Sequence, residues 1–132
     1  MSVAETNAGL IRKGYAAFNA GDMKTLDQIF QDNATWHTPG RSSLGGDHKG
    51  KEAVFAQFGR YGSGTNGTFK ANMMHVFTDE AGNAVSVHRN TGERNGKHLD
   101  VLCCIVFSIK DGKVQEGREV FYDLHAWDGF WA

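Results

Sequence analysis

The chain has 132 residues, a length that suits one domain and leaves little room for a second. Hydrophobic residues make up 40% of the sequence, which is enough for a packed core and excludes a disordered chain. Fourteen basic residues against fifteen acidic ones give a net charge of −1, which argues against a nucleic-acid-binding role. We therefore expect a single domain over residues 1–132 whose partner is not a nucleic acid.

The cellular location is predicted from the N-terminus and the cysteines. The first residues carry no basic region followed by an apolar one, and no stretch approaches the roughly 18 apolar residues of a membrane span. Cys103 and Cys104 are adjacent in a hydrophobic run, where strand side chains point to opposite faces, so they are poorly placed to pair. These features predict a cytoplasmic protein without membrane contact.

The first half of the chain is predicted to be mainly helical, because its apolar residues recur at helical spacing. Pro39-Gly40 stops a short strand, and glycine-rich loops are predicted over residues 40–50 and 61–67. The predicted elements are a helix over 3–19, a second helix that contains Leu26, Ile29 and Phe30, a strand over 34–38, and a third helix over about 51–60.

The second half is predicted to form a sheet. Asn95-Gly96 and Asp111-Gly112 are the residue pairs that favour two-residue hairpin turns. The predicted strands cover residues 68–78, 83–94, 97–110 and 113–124. The order of elements predicts an α+β fold, in which three N-terminal helices pack on an antiparallel sheet.

The two hairpin turns also predict which side chains share a face of the sheet. One face carries Arg89, Asp100 and Glu119 among apolar residues, which is typical of a small-molecule pocket under the helices. The opposite face, which includes His88, is also largely apolar and is predicted to pair with a second copy of the chain. A single β-bulge would exchange these assignments locally.

Several segments carry a resemblance to a known group of proteins, and they span nearly the whole chain. They are Tyr15–Asp22, Trp36–Gly40, Gly50–Val54, Leu99–Val101, Asp111–Val114 and Trp127–Trp131. In this order of helices and strands, they resemble the nuclear transport factor 2-like superfamily, in its SnoaL-like and ketosteroid isomerase-related branch. The resemblance implies a cystatin-like fold, in which the helices pack on a strongly curved, mainly antiparallel sheet that forms a cone. It also implies an apolar pocket in the cone and a homodimer through the outer sheet face.

The residues of the isomerase mechanism are only partly matched. That enzyme uses an aspartate base, with a tyrosine and a protonated aspartate as donors to the oxyanion. Its base comes directly before the proline, where this chain has Thr38, and its tyrosine matches Gly14, one residue before Tyr15. Its buried aspartate is matched by Asp100. The resemblance therefore does not imply steroid isomerisation.

Three residues are the candidate catalytic groups: Asp100, His37 and Arg89. A carboxylate in the middle of an apolar face is costly unless it is paired or protonated, so Asp100 is a candidate general acid or base. Arg89 would stabilise a developing negative charge, or would simply form a salt bridge with Asp100. His37 lies beside Pro39-Gly40, where the resemblance implies the mouth of the pocket, and would move a proton or hydrogen-bond a backbone carbonyl.

The candidate substrate-binding residues are Tyr15, Trp36, His88, Glu119 and Phe121. The aromatic ones would form pocket walls or plain core packing, and Glu119 would be a second pocket carboxylate or a solvated strand end. His88 reaches the pocket only if a bulge moves it there. The histidines lack metal-ligand spacing, so neither a metal nor another cofactor is predicted.

The sequence thus predicts a small-molecule pocket protein. The leading hypothesis is a cofactor-independent isomerase, cyclase or dehydratase that performs acid–base chemistry on a small apolar carbonyl compound. The alternative is a non-catalytic dimer that binds a hydrophobic ligand or another protein.

Overall fold

The computed structural model describes all 132 residues as four helices and one six-stranded sheet. The elements are α1 (Val3–Ala20), α2 (Met23–Ile29), β1 (Phe30–Thr38), β2 (Gly46–Lys49), α3 (Lys51–Ser63), β3 (Lys70–Thr78), β4 (Asn83–Arg94), β5 (Lys97–Lys110), β6 (Lys113–Phe121) and α4 (Leu124–Trp131). The strand order is β2-β1-β6-β5-β4-β3, and only the β1–β6 pair is parallel. The predicted α+β fold, with helices on a curled and mainly antiparallel sheet, is confirmed.

The helix that lies over the sheet, α1, has clear start and stop signals. The Ser2 hydroxyl accepts the Glu5 backbone N–H at 3.1 Å, which caps the first turn. Gly21 ends the helix at φ 69°, a left-handed conformation that glycine adopts without strain. Between these ends, α1 turns Ile11 and Tyr15 toward the sheet, where both are buried.

Several parts of the fold differ from the sequence prediction, among them α3, which extends to Ser63 into the predicted loop 61–67. The first strand begins at Phe30 rather than 34, and β2 lies in the predicted loop 40–50. The predicted last strand ends early, because the Asp123 carboxylate accepts the Ala126 N–H at 2.9 Å and caps a fourth helix. In α4, Trp127, Phe130 and Trp131 are buried at helical spacing, and Phe121 stacks on Trp127 with ring centroids 4.0 Å apart.

The register of the sheet explains where the acidic side chains lie. Both predicted hairpin turns form, since Arg94 pairs with Lys97 and Lys110 with Lys113. Between them the pairing of β5 with β6 shifts after Ile109–Val114, which leaves one extra residue in β6 before Ser108 pairs with Glu116. This bulge moves Glu119 from the predicted partner, Cys104, to Ile105.

The predicted faces of β4 and β5 are reversed. Ser86, His88 and Asn90 of β4 are fully buried under the helices, and Arg89 and Asp100 lie on the outer face. The prediction was wrong because it took the face with the charged residues as the pocket face. It therefore placed the polar side chains of β4 on the outer face. The buried polar side chains are tolerated because they hydrogen-bond one another. Glu119 reaches the helix-covered face only because of the bulge in β6.

None of the four helices combines enough length with enough apolar character to cross a bilayer.

Candidate functional site

An apolar cavity lies between the inner face of the sheet and the first three helices. Its volume is about 70 Å³, and fifteen of its nineteen lining residues are hydrophobic. The polar side chains that line it are few: His88, Asn90, Glu119 and the hydroxyls of Tyr15 and Tyr61. A concave, mainly apolar cavity with a small number of polar groups is the usual form of a small-molecule site.

Glu119 of β6 is the acidic group of this cavity. The residue is 4% exposed, and its Oε1 atom accepts three hydrogen bonds. They come from Trp36 Nε1 at 2.9 Å, Thr38 Oγ1 at 2.7 Å and Tyr61 Oη at 2.6 Å. We call Glu119 and these three donors the Glu119 cluster.

The second carboxyl oxygen of Glu119 has a different environment. Oε2 makes no hydrogen bond to the protein and keeps some accessible surface, and it belongs to a residue that lines the cavity. Burial raises the pKa of the Glu119 carboxyl above its usual range, although the hydrogen bonds from Tyr61, Thr38 and Trp36 act in the opposite direction. Such a carboxyl can donate a proton to a bound molecule when protonated and accept one when ionised.

The β1–β6 pairing brings the donors to Glu119. Trp36 and Thr38 are two residues apart in β1, so both side chains point to the inner face. Trp36 pairs with Gly117, and a Cβ at Gly117 would lie 2.3 Å from the indole Cζ3 atom. Only glycine at this position lets the Trp36 ring lie across β6 with its Nε1 at Glu119.

A second polar group, the Tyr15–His88 cluster, lies on the far side of β5. It consists of Tyr15, Ser86, His88 and Asn90. Tyr15 Oη lies 2.6 Å from His88 Nδ1 and 2.5 Å from Ser86 Oγ, and His88 Nε2 lies 3.0 Å from Asn90 Oδ1. Ile105 pairs with Ser86 on one side and Glu119 on the other, so the two clusters lie about 10 Å apart, two strand spacings.

The protons of the Tyr15–His88 cluster can be assigned from its partners. Asn90 Oδ1 accepts, so His88 Nε2 carries the ring hydrogen and Nδ1 accepts from the Tyr15 hydroxyl. Ser86 then donates to Tyr15, whose oxygen keeps one lone pair for another donor. Burial lowers the pKa of His88 to about 4 and raises the pKa of Tyr15. The cluster is neutral near pH 7.

Several sequence-predicted residues line the cavity, and several do not. Tyr15, Trp36, His88 and Glu119 line it, so His88 lies on the cavity side rather than on the predicted dimer face. Phe121 is buried but does not line the cavity, and it packs on Trp127.

The three predicted catalytic residues lie outside the cavity. Arg89 Nε donates to Asp100 Oδ1 at 2.7 Å on the outer face, where the Asp100 side chain is 64% exposed. Both nitrogens of His37 are engaged by carboxylates, Nδ1 with Asp47 at 2.6 Å and Nε2 with Glu116 at 2.9 Å.

Sequence reasoning did not single out Gln57 and Tyr61, and it did not treat Thr38 as part of a site. Gln57 and Tyr61 lie on the buried stripe of α3, four residues apart and in line with Val54 and Phe58. A glutamine on an apolar helix stripe was the available signal, because a buried amide needs partners from other elements.

The chain is similar in sequence and fold to known proteins. The family model for the SnoaL-like domain matches residues 11–117. The solved structure of Bal32a, from a soil-derived mobile gene cassette, is 62% identical and superposes with a TM-score of 0.98 over 99% of this chain and 100% of that one.

Two other solved structures are more distant. A protein of unknown function with a cystatin-like fold from Xanthomonas campestris is 26% identical, with a TM-score of 0.89 over 100% of this chain and 99% of that one. A candidate SnoaL-like polyketide cyclase from Jannaschia sp. CCS1 is 17% identical, with a TM-score of 0.80 over 100% of this chain and 96% of that one. The similarity to the Jannaschia protein is a similarity of fold alone.

The neutral, buried His88 predicts how stability depends on pH. Between pH 6.5 and about 4 the unfolded chain binds a proton at this histidine that the folded protein does not. The free energy of unfolding therefore falls as the pH is lowered through this range, by about 3 kcal/mol for His88 alone.

The prediction is tested by the difference in the free energy of unfolding between the wild type and a variant without His88. Denaturant unfolding of the wild type and of His88→Gln is compared at several pH values, so that groups such as Glu119, whose raised pKa acts in the opposite direction, cancel. We expect the wild type to lose more stability toward acid than the variant. Parallel curves would contradict the assigned protonation state.

Proposed function

We propose that this chain, which belongs to the SnoaL-like domain family of the nuclear transport factor 2-like superfamily, is a cofactor-independent enzyme. Its substrate is a small, mostly apolar carbonyl compound bound in the cavity. Its reaction is a proton transfer of the isomerase, cyclase or dehydratase type. The coarser conclusion, a protein with a ligand-binding pocket, follows from the family and the cavity.

The observation that carries this proposal is the position of Glu119 Oε2. It is a carboxyl oxygen without a protein partner, on a residue that lines an apolar cavity and whose pKa is raised by burial. A carboxyl that titrates closer to neutral pH serves well as a general acid or base. The ionised form would remove a proton from the carbon beside a carbonyl, and the protonated form would return one or protonate a leaving hydroxyl.

The Tyr15–His88 cluster would hold the polar end of the substrate. The Tyr15 oxygen has a lone pair for a ligand hydroxyl, and its own hydrogen can turn from His88 to a ligand carbonyl while Ser86 continues to donate. The two clusters would thus contact opposite ends of one small molecule, and the apolar walls, including Trp36, would cover its middle.

The position of Thr38 supports this assignment. The resemblance implies that the isomerase base comes from the residue before the proline, where this chain has Thr38. The Thr38 hydroxyl donates to Glu119 Oε1 at 2.7 Å, so a carboxyl group is held at this place from the neighbouring strand. We propose that Glu119 takes the acid–base role, and we assign no catalytic role to Asp100, Arg89 or His37, whose side chains are paired elsewhere.

The second candidate function is non-catalytic binding of a hydrophobic ligand. It is favoured by the saturation of the Tyr15–His88 cluster, in which both ring nitrogens of His88 already have partners. In that case the cavity would hold a ligand and Glu119 would supply a single hydrogen bond.

One experiment separates the two functions. Small apolar ketones, enones and hydroxyketones are screened for binding by thermal shift and then for turnover, with the variants Glu119→Gln and Gly14→Leu. A Cβ at Gly14 would meet only Ile29 Cδ1, at 4.0 Å, so a leucine there fills cavity space and should abolish binding. Glu119→Gln keeps the size of the side chain, so it should retain binding and lose turnover by at least about a hundredfold.

The control for the filled cavity is Gly9→Leu, which makes the same change on the exposed side of α1 and should leave binding and turnover intact. Turnover in Glu119→Gln equal to the wild type would overturn the proposed mechanism. Binding without turnover by the wild type across the panel would favour the second function.

We also propose that two copies pair through the outer sheet face. Val106 and Val120 are exposed there, 44% and 48%, beside the half-buried Leu102 and Cys104. Light scattering at micromolar concentration should give the mass of a dimer for the wild type and of a monomer for Val106→Lys with Val120→Lys. A monomeric wild type would contradict the proposal.

A cytoplasmic location is likewise proposed. It is consistent with two free cysteines, Cys103 and Cys104, whose side chains lie on opposite faces of β5.

A further inference from the structure

We propose that Gln57 is a positioning residue that keeps the Glu119 proton on Oε2, the carboxyl oxygen without a protein partner. This inference rests on the proposed acid–base role of Glu119 and deepens it. It follows from the only partners that Gln57 has, all of which lie in or beside the Glu119 cluster.

The Gln57 side chain is completely buried, and all its polar atoms are used. Nε2 donates to the Leu44 carbonyl at 2.8 Å, and it lies 3.1 Å from Thr38 Oγ1 and 3.2 Å from Tyr61 Oη. Oε1 accepts from the Arg60 guanidinium, through Nε at 3.1 Å and through Nη2. An amide NH₂ has two hydrogens, so one serves Leu44 and the other is shared by the two hydroxyl oxygens.

The orientation of this amide is fixed from both ends. The Arg60 guanidinium only donates, so it requires the amide oxygen. The Leu44 carbonyl only accepts, so it requires the amide nitrogen. A flipped amide would place its NH₂ group against the Arg60 guanidinium and its oxygen against the Leu44 carbonyl. Gln57 therefore has a single stable arrangement.

This arrangement sets the direction of the hydroxyl groups. The oxygens of Thr38 and Tyr61 accept from Gln57 Nε2, so their hydrogens are directed to Glu119 Oε1. Trp36 Nε1 is a donor only, and it donates to the same oxygen. With three hydrogens directed at Oε1, a proton on that atom would be repelled, and the proton of the neutral carboxyl binds Oε2 instead.

The consequence for the proposed chemistry is geometric. Without Gln57, Thr38 and Tyr61 can hydrogen-bond each other across their 3.2 Å separation, and Oε1 loses one donor. The proton of the neutral carboxyl could then bind Oε1, away from the ligand. Gln57 touches no ligand in this account, and it acts through the hydroxyls of Thr38 and Tyr61.

The test reads the protonation of Glu119 directly, so it does not depend on any substrate. The infrared carbonyl band of the protonated carboxyl is assigned by its loss in Glu119→Gln, and its pH titration is recorded for the wild type and for Gln57→Leu. We expect Gln57→Leu to raise the pKa of Glu119 by about one pH unit, because the ionised form loses a hydrogen bond. The same variant in a Thr38→Val, Tyr61→Phe background should then add no further change.

Additive changes in the two backgrounds, or an unchanged titration in Gln57→Leu, would overturn the inference. If Gln57→Leu does not fold, Gln57→Glu keeps the contact with Arg60 and reverses the bonds to both hydroxyls, and it should raise the pKa of Glu119 further. Gln28→Glu, the same change on an exposed position of α2, is its matched control and should leave the titration unchanged.

The outcomes separate this inference from the proposed function. An altered titration in Gln57→Leu with full turnover in Glu119→Gln would leave the positioning role intact and refute the acid–base role. The reverse pattern would refute only the role of Gln57.

Discussion

The arrangement of this molecule depends on one constraint, the burial of the Glu119 carboxyl in an apolar cavity. A buried carboxylate is strongly destabilising unless hydrogen-bond donors replace the lost water. Three donors meet this need at Oε1, and they come from β1 and α3. Their convergence requires the parallel β1–β6 pairing, the absence of a side chain at Gly117, and the bulge that turns Glu119 inward.

The need for hydrogen-bond donors at Glu119 also connects the loop after β1 to the site. Gln57 joins the Leu44 carbonyl of that loop to the hydroxyls of the Glu119 cluster. Earlier in the same loop, the Arg41 N–H donates to the Asp128 carboxylate of α4 at 3.1 Å. Hydrogen bonds therefore connect this loop to the donors of the Glu119 carboxyl.

Much of the fold could be predicted from the sequence, because hairpin turns and helix periodicity are local signals. Asn95-Gly96 fixed the register of β4 with β5 residue by residue. The choice of inner face could not be predicted in this way, since it depends on whether polar side chains find partners in three dimensions. Ser86, His88 and Asn90 do find them, whereas Arg89 and Asp100 pair with each other at the surface.

The site was partly predictable for the same reason. The sequence predicts Glu119 and Tyr15 as pocket residues, but it places Glu119 by a register that the bulge in β6 changes. No local sequence pattern predicts a bulge of one residue in an otherwise regular strand. Thr38, Gln57 and Tyr61 are ordinary residues by themselves, and they form part of a site only because β1 and α3 bring them to one carboxyl oxygen.

The central claim is that Glu119 is a buried carboxyl with a raised pKa and one oxygen available to a ligand. It is tested most directly by a carbon-13 NMR titration of the ligand-free protein labelled at the glutamate side-chain carboxyl carbons, with the Glu119 signal assigned by its absence in Glu119→Gln. We expect a midpoint above 4.5, the usual value for a glutamate, and a shift of this signal when a cavity ligand binds. A midpoint at or below 4.5, with a signal that does not respond to ligand, would contradict it.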